Sequence, residues 1–83
     1  MPLTERDRAI LDFEAAWRLH AGAKEEAIRS ELDLSPARYY QLLGRLIDTA
    51  DAQRHDPMLV KRLRRMRDTA RRAAGVRAVA EPR

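Results

Sequence analysis

A chain of 83 residues has room for one compact domain of three to five helices, but not for a large core or a deep enzyme pocket. It contains no cysteine, which excludes a disulfide framework and thiolate metal sites, and nothing at its start reads as a secretory signal. No apolar run approaches the roughly 20 residues that span a bilayer, so the expectation is a soluble, cytoplasmic protein with no membrane partner. The net charge is +4, but its distribution says more than its total. Residues 1–56 carry 8 Lys+Arg against 11 Asp+Glu, residues 57–72 carry 7 against 1, and residues 73–83 carry 2 against 1. A segment as basic as 57–72 attracts a polyanion, because each cation placed near a phosphate releases condensed counterions.

The first helix is predicted to start at Thr4, whose hydroxyl can cap the turn, with Glu5 and Asp7 near the positive end of the dipole. Ile10, Phe13 and Trp17 recur at helical spacing and form its core face, with Arg6, Arg8, Asp12, Glu14 and Arg18 on the polar side. Ala21-Gly22 breaks the pattern. A second helix runs from about Ala23 to Glu31, and Ser35-Pro36 opens a third, because Ser is a favoured cap and Pro at the first position loses no needed N–H. That helix extends to about Asp48, with Tyr39, Leu42, Leu43, Leu46 and Ile47 inward. Residues 49–56 are polar and aperiodic and read as a loop or frayed turn. Asp56-Pro57 repeats the cap-then-proline signal and begins a helix to about Ala74, with Leu59, Leu63, Met66 and Ala70 as its apolar stripe and Gly75 as its stop. The expected organisation is one helical domain over 1–74 and a flexible tail over 75–83.

Two helices joined by a tight turn form a helix-turn-helix when a few apolar positions hold them at a steep angle. Counted from Glu25, those positions fall on Ile28, Leu32, Leu34, Tyr39 and Leu42, and all five are apolar. Two positions normally filled by small residues hold Arg29 and Asp33. Asp tolerates a left-handed turn, whereas a long side chain at Arg29 has to escape the angle between the helices. An ordinary helical hairpin within a small bundle is the competing reading.

In a helix-turn-helix over about 24–48, the third helix is the recognition element, and Ala37, Arg38, Gln41 and Arg45 face outward. Arg can donate two hydrogen bonds to guanine, Gln can pair with adenine, and Ser35 at the helix start can bring a phosphate onto free backbone N–H groups. Tyr40 stands at the edge of the core, where its hydroxyl could reach a phosphate, though a partly buried structural role competes with this. Gly44 within a helix suggests close approach of another helix or of a nucleic-acid backbone. The last helix, about 57–74, offers Lys61, Arg62, Arg64, Arg65, Arg67, Arg71 and Arg72, balanced only by Asp68. Six arginines to one lysine favour bidentate phosphate contacts. A basic helix can also lie on an anionic membrane, but this one has a narrow apolar face without aromatic residues.

His20 and His55 have no catalytic partner, no metal-ligand spacing or phosphate loop occurs, and Glu25-Glu26 is an ordinary N-terminal helix charge. No enzymatic activity and no cofactor are therefore expected. The strings Ala-Gly-Ala-Lys-Glu at 21–25, Ser-Pro-Ala-Arg-Tyr-Tyr-Gln at 35–41 and Asp-Pro-Met-Leu-Val-Lys-Arg-Leu-Arg-Arg at 56–65 lie within Trp17 to Arg67. That stretch resembles a family of short actinobacterial proteins catalogued as a domain of unknown function. The resemblance implies an actinobacterial or phage source and supplies no activity. More distantly, Leu32-Asp33-Leu34-Ser35-Pro36 is similar to the turn of sigma-factor-type helix-turn-helices, where Leu-Gly-Ile-Ser is common.

The expectation is an all-α, DNA-binding protein of the nucleoid, a transcriptional regulator or nucleoid-associated. Helix three would lie in the major groove of double-stranded DNA and the basic helix on phosphates. A homodimer would double its base contacts. The alternatives are a module docking its basic helix on an acidic partner such as the transcription machinery, and RNA binding.

Overall fold

The computed structural model describes residues 2–17 and 21–80, with backbone alone for residues 21–22 and 75–80. Among the described residues it contains no strand and five helices: α1 (Glu5–Ala16), α2 (Ala21–Leu32), α3 (Pro36–Leu46), α4 (Ala50–His55) and α5 (Pro57–Ala80). The protein is a small all-α domain. His20 and residues 81–83 of the expected tail lie outside the described residues.

The helix starts follow local chemistry. Thr4 closes a capping box, its hydroxyl accepting the Asp7 N–H at 3.0 Å while the Asp7 carboxylate accepts the Thr4 N–H at 3.0 Å. Ser35 accepts the Arg38 N–H at 3.2 Å with Pro36 next in line, and Asp56 accepts the Leu59 N–H at 3.2 Å immediately before Pro57. Each cap satisfies a donor that the first helical turn would otherwise leave open.

Several predicted boundaries need correction. Ala21-Gly22 is not a break but the start of α2, and α3 stops at Leu46, not at Asp48. Residues 49–56 are not a loop: Thr49 accepts the Ala52 N–H at 3.1 Å and starts α4. Tertiary contacts hold this short helix, since Ala52 is fully buried and His55 Nε2 lies 2.8 Å from Asp12 Oδ1 on α1. Gly75 does not end α5, which continues to Ala80. A single helical Gly costs only about 1 kcal/mol relative to Ala, and the helix formers Ala73, Ala74 and Ala78 surround it.

The core gathers around α1, which packs against α2, α3 and α4, while α4 packs against α5. Ile10, Phe13, Ile28, Tyr39, Leu43, Leu46, Ile47 and Leu59 are buried as their periodicity predicts, and Val60 joins them. The polar side assigned to α1 is wrong in one place. Leu11 is fully buried and Glu14 nearly so, because a helix flanked by three others has more than one buried stripe. The apolar stripe of α5 is also shorter than predicted. Leu59 is buried and Leu63 packs on the core, but Met66 is 60% exposed and Ala70 is exposed.

Candidate nucleic-acid interface

The turn between α2 and α3 consists of Asp33, Leu34 and Ser35. Asp33 adopts φ 56°, the left-handed conformation that such a turn usually assigns to Gly, and its N–H bonds to the Arg29 carbonyl at 3.1 Å. Ile28, Leu34 and Tyr39 are buried, and Leu32 and Leu42 pack against the same core. Arg29 escapes to solvent, its side chain 55% exposed and 3.9 Å from Glu26. The long side chain at that position therefore does not prevent α2 and α3 from packing.

On α3, Arg38, Gln41 and Arg45 are all exposed and recur at spacings of three and four, so they line one face. Arg38 Nη1 donates to Gln41 Oε1 at 2.9 Å. Tyr40 is 46% exposed, more open than an edge-of-core residue, with its ring edge-on to Tyr39 and Lys24 Nζ 5.2 Å from its centroid. Ser35 is exposed and its hydroxyl serves as the α3 cap. A Cβ added at Gly44 would meet nothing within 4 Å, so no other helix explains this glycine.

The seven cations of α5 between Lys61 and Arg72 sort into three groups. Arg64 Nε donates to the Ile47 carbonyl at 2.6 Å, satisfying an open acceptor at the C-terminus of α3. Arg67 Nη1 lies 3.0 Å from both carboxylate oxygens of Asp48. These two arginines clasp α5 to the end of α3. Arg62 is half-buried beside α1 and α2. The remaining four, Lys61, Arg65, Arg71 and Arg72, are exposed and make no ion pair or hydrogen bond among the described residues. At 3.6 residues per turn, Lys61, Arg65 and Arg72 fall within about 40° of one another, on the side opposite Leu59 and Leu63. Arg71 projects instead on the side of the clasp. From Arg65 to Ala74 every described side chain except Arg67 is exposed, so this part of α5 stands clear of the core.

Three residues that shape the site escaped the sequence reading. Glu14 accepts the Tyr39 hydroxyl at 2.5 Å and pairs with Lys24 at 2.8 Å, tying α1, α2 and α3 together in the core. Burial, and then the bond to Glu14, push the Tyr39 phenol far above its ordinary pKa. Burial opposes the Lys24 charge, but the hydrogen bond and charge of Glu14 overcome this and raise its pKa above the usual value. Glu14 was detectable in one respect, since it follows Ile10 by four residues and Leu11 by three and so falls between two buried positions. Asp48 carried a weaker signal: an acid at a helix C-terminus opposes the dipole unless a cation meets it.

Fold and surface together define a small all-α protein in which α2, a three-residue turn and α3 form a packed unit and a basic helix extends beyond the core. Among the described residues no helix is long and apolar enough to cross a membrane, and no group of three metal-ligating side chains occurs. The chain belongs to DUF3263, a protein family of unknown function, which it matches over residues 2–74. No curated protein and no solved structure gives a significant match.

Proposed function

We propose that this protein binds double-stranded DNA, with α3 in the major groove and the exposed cations of α5 on the phosphate backbone. The carrying observation is the open set Lys61, Arg65, Arg71 and Arg72, four cations without a partner among the described residues, on a helix that leaves the core. Apposed like charges at this density repel, and a polyanion removes the repulsion while releasing its own counterions. The clasp of Arg64 and Arg67 on the end of α3 supports a shared surface, because it fixes α5 relative to Arg45 one turn earlier. On α3, Arg38 donates to the Gln41 oxygen, which supports the two side chains acting together as one polar edge in the groove. The open face at Gly44 lets a backbone approach closely.

A titration of labelled duplex binding against salt tests this reading. About five neutralised phosphates, from the four open cations and Arg45, give a log–log slope near −4 to −5. Absence of affinity even at low salt overturns it. Arg38→Ala and Gln41→Ala reduce discrimination between sequences by about tenfold. A strong sequence preference marks a transcriptional regulator related in its turn to sigma-factor-type domains, whereas equal affinity for all duplexes marks an architectural protein of the nucleoid. A two-fold dimer doubles the base contacts and is detected as half-site symmetry in the footprint. Equal affinity for duplex RNA, or a nuclease-resistant acidic partner recovered from lysate, redirects the assignment.

A further inference from the structure

A cleft of about 360 Å³ opens between α1, α2 and the start of α5, lined by Glu14, Trp17, Lys24, Arg62, Leu63 and Met66. At the roughly 30 Å³ that one water occupies in the liquid, it holds about a dozen water-sized groups, the scale of a small organic ligand. Trp17, Leu63 and Met66 form an apolar wall. The Trp17 ring is stacked on Phe13 at 5.7 Å, and Met66 is left 60% exposed. Glu14 and Lys24 are charged but balanced, with side chains 10% and 14% exposed and a separation of 2.8 Å, and Tyr39 donates to the same Glu14 oxygen. Arg62 is different. It is half-buried and makes no hydrogen bond or ion pair among the described residues. A guanidinium that lines a cleft with an apolar wall and has no anion beside it among the described residues offers its planar fork to one.

We propose that this cleft binds a small aromatic carboxylate, with its carboxylate on the Arg62 fork and its ring against Trp17 and Met66. The charge balance selects the ligand. With Glu14 and Lys24 cancelling, the described lining residues carry one uncompensated positive charge, which a monoanion neutralises and a doubly charged phosphate monoester exceeds next to Glu14. The wall selects the ring, because an indole offers an aromatic face and a thioether makes favourable contacts at a ring edge. Arg, not Lys, suits the role because its planar fork matches a carboxylate bidentately. Occupancy would bridge α5 to α1 and α2, and it is independent of any nucleic-acid partner.

Trp17 is the only tryptophan in the chain, so its emission reports on the cleft directly. Phenylacetate is titrated into the full chain beside phenylacetamide, its neutral isostere. The expected result is a saturable change in Trp17 emission, with half-saturation between about 0.1 and 10 mM for phenylacetate and at least about tenfold weaker binding of the amide. Arg62→Gln weakens phenylacetate by about tenfold or more, and Arg62→Lys recovers part of the loss because it keeps the charge without the fork. Circular dichroism shows whether each variant is folded. Should Arg62→Gln unfold, the acid-against-amide ratio in the unsubstituted chain and the Arg62→Lys variant carry the test. No saturable response to phenylacetate up to about 50 mM overturns the proposal, as does equal binding of acid and amide.

Discussion

Arg65 begins a region of α5 whose circumstances are opposite to those of the region before it, with Arg67 alone reaching back to the core. Before it, Leu59 and Val60 are buried, Leu63 packs on the core, and Arg64 reaches across to Ile47 as Arg67 does to Asp48. After it, Met66's successors Ala70, Arg71, Arg72, Ala73 and Ala74 are all exposed, and the arginines meet no partner among the described residues. Arginines of one helix thus serve two ends: those whose reach includes an orphan carbonyl or a carboxylate hold the fold together, and those beyond the core present charge to solvent. Charge alone does not assign the role. What lies within about a side chain's length on the neighbouring element does.

The comparison predicts that substitutions in the anchored region change stability and leave salt dependence alone, while those in the open region do the reverse. The largest effect is expected at Leu59, where truncation to Ala removes a fully buried side chain at the base of α5 and lowers unfolding stability in urea by about 2–5 kcal/mol. Met66→Ala, on the exposed continuation of the same stripe, changes stability by less than about 0.5 kcal/mol. Equal losses at the two positions would mean that the arm is packed after all.

Next in size is Tyr39→Phe, which deletes the donor to Glu14 inside the body that holds α5 and costs about 1–3 kcal/mol. The same cluster makes the anchored region sensitive to alkali. Lys24 and Tyr39 both have folded-state pKa values above their unfolded values, so the unfolded chain releases their protons first and stability falls as pH rises past the ordinary values of 10.0 for Tyr and 10.5 for Lys. Urea midpoints measured from pH 8 upward should therefore drop above about pH 10, and Tyr39→Phe should flatten the decline. An unchanged profile in the variant would show that Tyr39 does not contribute.

The sharpest test of the two regions compares two neighbouring arginines. Arg67→Ala costs about 1 kcal/mol of stability, a figure kept small because Asp48 is more than half exposed and water screens the pair. Arg65→Ala changes stability by less than about 0.5 kcal/mol but lowers the salt slope of duplex binding by about one. If Arg67→Ala also lowers the slope, the clasp opens on binding. The smallest effect is a gain: Gly44→Ala stabilises by about 0.5–1 kcal/mol, since nothing lies within 4 Å of the added methyl. Weaker duplex binding by this more stable variant would identify Gly44 as a point of backbone approach.

The amino-acid sequence by itself determined the elements whose signals are local. Caps at Thr4, Ser35 and Asp56, prolines at 36 and 57, and the period of Ile28, Tyr39, Leu43 and Leu46 specify helices and their inner faces, because these preferences act within one or two turns of the chain. The left-handed Asp33 and the uneven charge were legible for the same reason. The tertiary structure alone decided the rest. It made 50–55 a helix by burying Ala52 and joining His55 to Asp12, and it drew Glu14 into the core by surrounding α1. It also divided one basic helix between a clasp on Asp48, a half-buried Arg62 and four open cations. The contacts behind those outcomes join residues as far as 43 positions apart in the chain, and which side chains find such a partner is set by packing and not by any pattern near the residue itself.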